Sequence, residues 1–233
     1  KSNDAVFSES LALVGGKALN GHRLQPGAGV NVLSSVADFS TGQITQDNDD
    51  FHIAISGNGF LPVHSSGTDF VTRAGDFSLA VNPDTVTGGF VMMRANGAML
   101  QAAPTATRAI PAGTAGIVVF PVAPTSVEID PNGIITALPL EDLVVIPNII
   151  GATPVNKFIG LKNYVNPNAL IHEKAQMYVE TADAALTDTT NMEIPGSNNT
   201  GPLRQRALEQ SNVDLTEQFT KMIVAQRNFQ ANA

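Results

Sequence analysis

Between Val30 and Val165 short apolar–polar alternations are broken about every ten residues by turns rich in Gly and Asn. Few folds accept that pattern. The segments are too short for stable helices, and a period of two buries one face of a strand and wets the other. Phe51, Ile53 and Ile55 alternate with His52, Ala54 and Ser56, and Ser56-Gly57-Asn58-Gly59 then predicts a hairpin returning through Phe60 to Val63. Asp69 to Arg73 and Phe77 to Val81 are expected to pair around Ala74-Gly75-Asp76. Gly88-Gly89 leads into Phe90 to Arg94, and Ala95-Asn96-Gly97 turns again. Further strands are expected at Ile117 to Phe120, Leu143 to Ile146 and Phe158 to Val165. Val127 and Ile129 should meet Ile134 across the turn Asp130-Pro131-Asn132-Gly133. The fold class is mainly β, an inserted sandwich or partly closed barrel flanked by helical chain termini.

The C-terminal segment follows a different period. Asp214 is a good N-cap, with Glu217 three residues on. Leu215, Phe219, Met222, Gln226, Phe229 and Ala233 then recur at alternating steps of four and three, the spacing of a seam meant for another helix, with one polar position at Gln226. Its receiver is either a helical neighbour or the protein's own sheet. Glu217 and Lys221 form a favourably ordered pair one turn apart. At the other end Phe7, Leu11 and Val14 have helical spacing, so residues 1–14 are expected to form a short helix ended by Gly15-Gly16. Residues 166–182 fit helix or strand equally. The expected organisation is a helical or extended segment over 1–29, a β domain over 30–182, an extended linker over 183–213, and a coiled-coil helix over 214–233.

Composition excludes several functions. With 43% hydrophobic residues the chain buries a core, while only 15% are charged. The net charge of −8, without a basic cluster, argues against nucleic-acid binding and against an anionic membrane surface. No apolar run approaches the ~20 residues of a membrane span. Cys is absent, which removes disulfides, thiolate metal sites and Cys nucleophiles.

The motifs offer little chemistry. His22, His52, His64 and His172 lack helical ligand spacing, and His52 and His64 would meet only across the expected first hairpin. Asp47-Asn48-Asp49-Asp50 begins like a calcium loop but has His52 in place of the sixth-position Gly and Asn58 in place of the twelfth-position Glu. Gly57-Asn58-Gly59 lacks the third glycine of a dinucleotide fingerprint, and Glu141-Asp142 points to opposite faces of a strand. No catalytic, cofactor or metal residues are assigned, and no cofactor is expected. A carboxylate pair assembled from distant segments keeps a secreted β-rich hydrolase as an alternative, beside an adhesin- or tail-like binding module. Arg73 is expected to pair with an acidic neighbour in a structural role.

Several segments together resemble the bacterial flagellar axial proteins, the rod and hook proteins of the hook–basal body. The most specific are Leu208-Glu209-Gln210-Ser211-Asn212-Val213-Asp214-Leu215 and Met222-Ile223-Val224-Ala225-Gln226-Arg227-Asn228-Phe229-Gln230-Ala231-Asn232. Ala54-Ile55-Ser56-Gly57-Asn58-Gly59-Phe60, Thr72-Arg73-Ala74-Gly75-Asp76-Phe77, Asn166-Pro167-Asn168-Ala169-Leu170 and Gly201-Pro202-Leu203 add to the match. His52 stands where the family usually has Asp, Leu61 where a second aromatic is common, and Arg206 where Gly is usual, which questions how the chain turns there.

The resemblance implies a structural subunit that polymerises into a helical tube and is exported through the flagellar export apparatus to serve motility. Its partners would be copies of itself and neighbouring rod or hook proteins, without nucleic acid or membrane insertion. End helices of the family pair as a coiled coil inside the tube with the β domain outside, so the chain is expected to be a core without both helix tips. The assembly residues would be Leu215, Phe219, Met222, Ile223, Gln226 and Phe229. The space between Gly97 and Asn166 looks too short for a large outer domain, which favours a rod-type or minimal hook-type subunit.

Overall fold

The computed structural model describes residues 3–9, 30–83, 88–102, 116–138, 144–147, 158–186 and 192–232. The chain divides into two compact units, one of residues 1–40 with 211–233 and one of residues 41–210. Strands follow in chain order as β1 Asn3–Glu9, β2 Val30–Ala37, β3 Ile44–Gln46, β4 Ile53–Ile55, β5 Leu61–Ser65 and β6 Thr68–Thr72. Next come β7 Ser78–Val81, β8 Phe90–Met93, β9 Met99–Ala102, β10 Gly116–Phe120, β11 Ser126–Ile129 and β12 Ile135–Leu138. The series ends with β13 Val144–Pro147, β14 Ile171–His172, β15 Met177–Val179, β16 Leu203–Gln205 and β17 Ala207–Glu209, and helix α1 covers Leu215–Asn232. The protein is thus mainly β with a C-terminal helix.

The larger unit is built on one antiparallel sheet ordered β13-β10-β8-β9-β5-β6-β15-β14, with β7 added alongside β8. Among the described residues the main apolar core draws on this sheet and on β4, with Ile53, Leu61, Phe77, Met92 and Leu100 wholly buried in it. Burial of each such side chain is worth about 1.5–3 kcal/mol. Two smaller pairs, β11 with β12 and β4 with β16, contribute to the same core, and β3 pairs with β17. The turn at Asp130–Gly133 forms as its sequence requires. Gly133 N donates to Asp130 O at 2.7 Å, and β11 and β12 run from Ser126↔Leu138 to Ile129↔Ile135.

Two expected hairpins do not form. β4 does not pair with β5; its partner is β16, with Ile55 opposite Leu203 and Ile53 opposite Gln205. The reason lies in the loop between them. Gly57 and Gly59 take φ of +138° and +124°, outside the conformation of a tight hairpin turn, and Arg73 draws both carbonyls to itself. The β6–β7 pair is also absent: β6 lies between β5 and β15, while β7 pairs with β8. The tight turn that does form is Ser66-Gly67, where φ of 52° and 79° suits a primed turn joining β5 to β6. At Phe158 to Val165 isolated bridges, such as Leu161↔Glu193, replace the expected continuous strand. The ambiguous residues 166–182 resolve into short 3-10 turns and β14 with β15.

Two further expectations at the ends change. Residues 3–9 form β1, antiparallel to β2 from Asn3↔Ala37 to Glu9↔Val30, instead of the expected helix over 1–14. Val6 and Phe7 suit a strand as well as a helix, and the Val-rich β2 supplies a ladder that outweighs the weak helical spacing. Leu11, Val14 and Gly15-Gly16 lie outside the described residues. Within the stretch expected as a linker, β16 and β17 are strands locked to β4 and β3.

Candidate assembly face

Helix α1 has the start its sequence predicts. Asp214 Oδ1 accepts the backbone N–H of Thr216 at 2.8 Å and of Glu217 at 3.4 Å. The Glu217 carboxylate pairs with Lys221 Nζ at 3.2 Å across one turn. On the helix Leu215 is 67% exposed, Phe219 59%, Met222 54% and Ile223 51%, and Gln226 is exposed as well. At ~100° per residue, Leu215, Phe219, Met222 and Gln226 fall within one narrow stripe, with Ile223 on its flank. Phe229 is part of the helix, and its side chain lies outside the described residues. Val224, 51% exposed and half a turn away from the stripe, was not singled out by the seam pattern because that pattern follows only one face.

A second constellation lies in the larger unit, where two of the motif blocks, Thr72–Phe77 and Leu208–Leu215, meet. Arg73, which follows β6, is 6% exposed, and Glu209, which ends β17, is 5% exposed. Arg73 Nη2 lies 3.1 Å from Glu209 Oε2, and Nε donates to the same oxygen at 3.2 Å. Arg73 Nη1 and Nη2 also donate to Gly59 O and Gly57 O at 3.0 and 2.9 Å, and its guanidinium stands 5.9 Å from the Phe60 ring centre. The other Glu209 oxygen accepts Gly42 N–H at 2.8 Å. One carboxylate therefore ties the strand entering this unit to the strand leaving it. The acidic partner expected for Arg73 is 136 residues further along the chain.

The departures from the family pattern are accommodated locally. Leu61 is fully buried. His52 Nδ1 is 2.7 Å from Asp47 Oδ2. The Asn48 backbone N–H, with help from His52, holds the Asp47 carboxyl below its usual value. Arg206 adopts the left-handed φ of 54° that a glycine would take there, and its Nε bonds Asp50 Oδ1 at 2.6 Å.

Several titratable side chains pair within the fold. His64 meets Asp69 at 2.6 Å and not His52. Tyr164 donates to Glu180 at 2.6 Å, and burial, reinforced by that carboxylate, raises its phenol well above the usual value. Burial also raises the Tyr178 phenol. Among the described residues no group of three or more His, Asp or Glu is placed to hold a metal ion. Glu141 and Asp142 lie outside them.

Residues 204–233 match the family model described as flagellar basal body rod FlgEFG protein C-terminal, which sets this chain in the class of flagellar axial proteins. The flagellar basal-body rod protein FlgG of Bacillus subtilis is 29% identical over 227 residues, 97% of this chain and 74% of that protein. FlgG of Buchnera aphidicola subsp. Baizongia pistaciae is 30% identical over 210 residues, 90% and 68% of the two chains. The hook protein FlgE of Borreliella burgdorferi is 41% identical over 75 residues, 32% of this chain and 16% of that protein. The chain belongs to the flagellar rod and hook axial protein family.

Proposed function

We propose that this protein is a rod-type structural subunit of the flagellar basal body, and that it polymerises with copies of itself and with neighbouring axial proteins. The supporting observation is the stripe of Leu215, Phe219 and Met222, each more than half exposed on a capped helix. An exposed apolar stripe of helical period is the surface a neighbouring helix covers. Covering each of these side chains would contribute up to about 1.5–3 kcal/mol. Gln226 within the stripe would favour one register at some cost in stability. Like contacts repeated from subunit to subunit without closing a ring give an open helical tube. The rod reading over the hook reading rests on alignment span: the rod relatives align along 90–97% of this chain, against 32% for the hook relative.

The subunit works by assembly and has no turnover of its own. Electron microscopy of the concentrated full-length protein should show tubes or filaments, and Phe219→Asp should abolish them while leaving circular dichroism of the β unit unchanged. A stable monomer with hydrolytic turnover would overturn the proposal. So would filament formation by Phe219→Asp equal to that of the parent chain.

A further inference from the structure

The six residues Asp47 to His52 bulge out between β3 and β4, yet across the ladder only Arg206 separates β17 from β16. The backbone of Arg206 spans this mismatch by bonding both ends of the bulge. Its N–H donates to His52 O at 2.8 Å, and its carbonyl accepts Asp47 N–H at 2.7 Å. Satisfying both requires φ of 54°, a region that side chains with a Cβ avoid. The side chain then reaches the middle of the same loop, Arg206 Nε meeting Asp50 Oδ1 at 2.6 Å. Next to it Gln205 Nε2 donates to Asp50 O at 2.7 Å. Arg206 is thus strained in its backbone and compensated by an ion pair whose partners are 59% and 30% exposed, open to screening by salt.

We propose that Arg206 and Asp50 form an ionic latch, which clamps the Asp47–His52 loop onto the closing strands and is released as ionic strength rises. A glycine would make the same turn without strain but would leave the loop unclamped. The charged or titratable groups around the latch are Asp47, Asp49, Asp50, His52 and Arg206. Asp47 and His52 pair with each other at 2.7 Å, so neither competes directly for the guanidinium. Opening the latch exposes the Asp47 and Arg206 amides while β5, β6 and β9 stay paired.

Amide hydrogen exchange on the intact chain tests this. Raising salt from about 0.01 M to about 1 M shortens the screening length from about 30 Å to about 3 Å. Exchange at Asp47 and Arg206 should then accelerate about two- to fivefold, the range a partly exposed ion pair commands. Exchange at Val63 and Leu100, in the core ladder, should not change. Asp50→Asn should exchange rapidly at low salt and lose the salt dependence. Arg206→Gly, which also relieves the backbone, should do the same even if its thermal stability is unchanged. Salt-independent exchange in the parent chain, or salt-dependent exchange surviving in Asp50→Asn, would overturn the latch.

Discussion

Changing Glu209 to Gln removes one charge from a buried pair while keeping the shape and one oxygen of the side chain. In the parent structure Arg73 is 6% exposed and meets Glu209 Oε2 twice, at 3.1 and 3.2 Å. Deleting one member of a buried pair costs about 3–5 kcal/mol because the other charge is left uncompensated. Arg73 would keep the carbonyls of Gly57 and Gly59 and the face of Phe60, which argues for the lower end, about 3 kcal/mol. For a unit of this size each kcal/mol moves Tm by about 2–4 °C, so Glu209→Gln should melt about 6–12 °C lower. Calorimetry of the single variants Glu209→Gln and Arg73→Met beside the double variant completes the measurement. The double variant should lose less than the sum of the singles, since neither buried charge is then left alone. A Tm for Glu209→Gln within about 2 °C of the parent would refute the reasoning. Additive single effects would show that the two residues act separately.

Three further perturbations follow from close packing and from burial. A Cβ on Gly75 would fall 1.6 Å from the carbonyl oxygen of Ile53, which belongs to a core strand and cannot yield. Gly75→Ala should therefore destabilise by about 3 kcal/mol or more in urea unfolding. Gly67→Ala meets no atom within 4 Å and should cost only about 1 kcal/mol, the strain of its φ. Tyr164 has its phenol raised from the ordinary 10.0 by burial and by Glu180, so the folded state holds that proton more tightly than the unfolded chain. Its contribution is complete below pH 10 and is lost as the pH rises further, so stability should fall steeply there. Tyr164→Phe should flatten that fall, read by urea unfolding across the alkaline range; an unchanged slope would assign it to other groups.

The sequence-readable features were those fixed by near neighbours. Asp214 caps the helix through Thr216 and Glu217, two and three residues away, and Asp130 to Gly133 closes its turn within four residues. Strand partners were less legible. Ile53 to Ile55 reads as a strand beside an Asn-Gly turn, and local turn chemistry suggests that Phe60 follows it back. The actual partner, Leu203–Gln205, is supplied from the far end of the chain, and the guanidinium of Arg73 holds the intervening loop open for it. Arg206 was visible as an oddity where Gly is usual, but its compensation by Asp50 required knowing which loop lay opposite. The exposed stripe of α1 was legible because helical periodicity depends on spacing alone. Its receiver was not, because a seam carries no address.

The pairing of β3 with β17 and β4 with β16 also governs how this protein comes into being. The contacts that seal the larger unit join residues far apart in the chain, 156 positions in the case of Asp50 and Arg206. Closing so long a loop is entropically slow. During synthesis most of the β unit must emerge and wait before Leu203 to Glu209 exist to finish it. A ribosome-bound chain stopped short of Leu203 should remain protease-sensitive at β3 and β4, and a few more residues should suffice to complete the unit. Folding of this domain is timed by the strands that immediately precede helix α1.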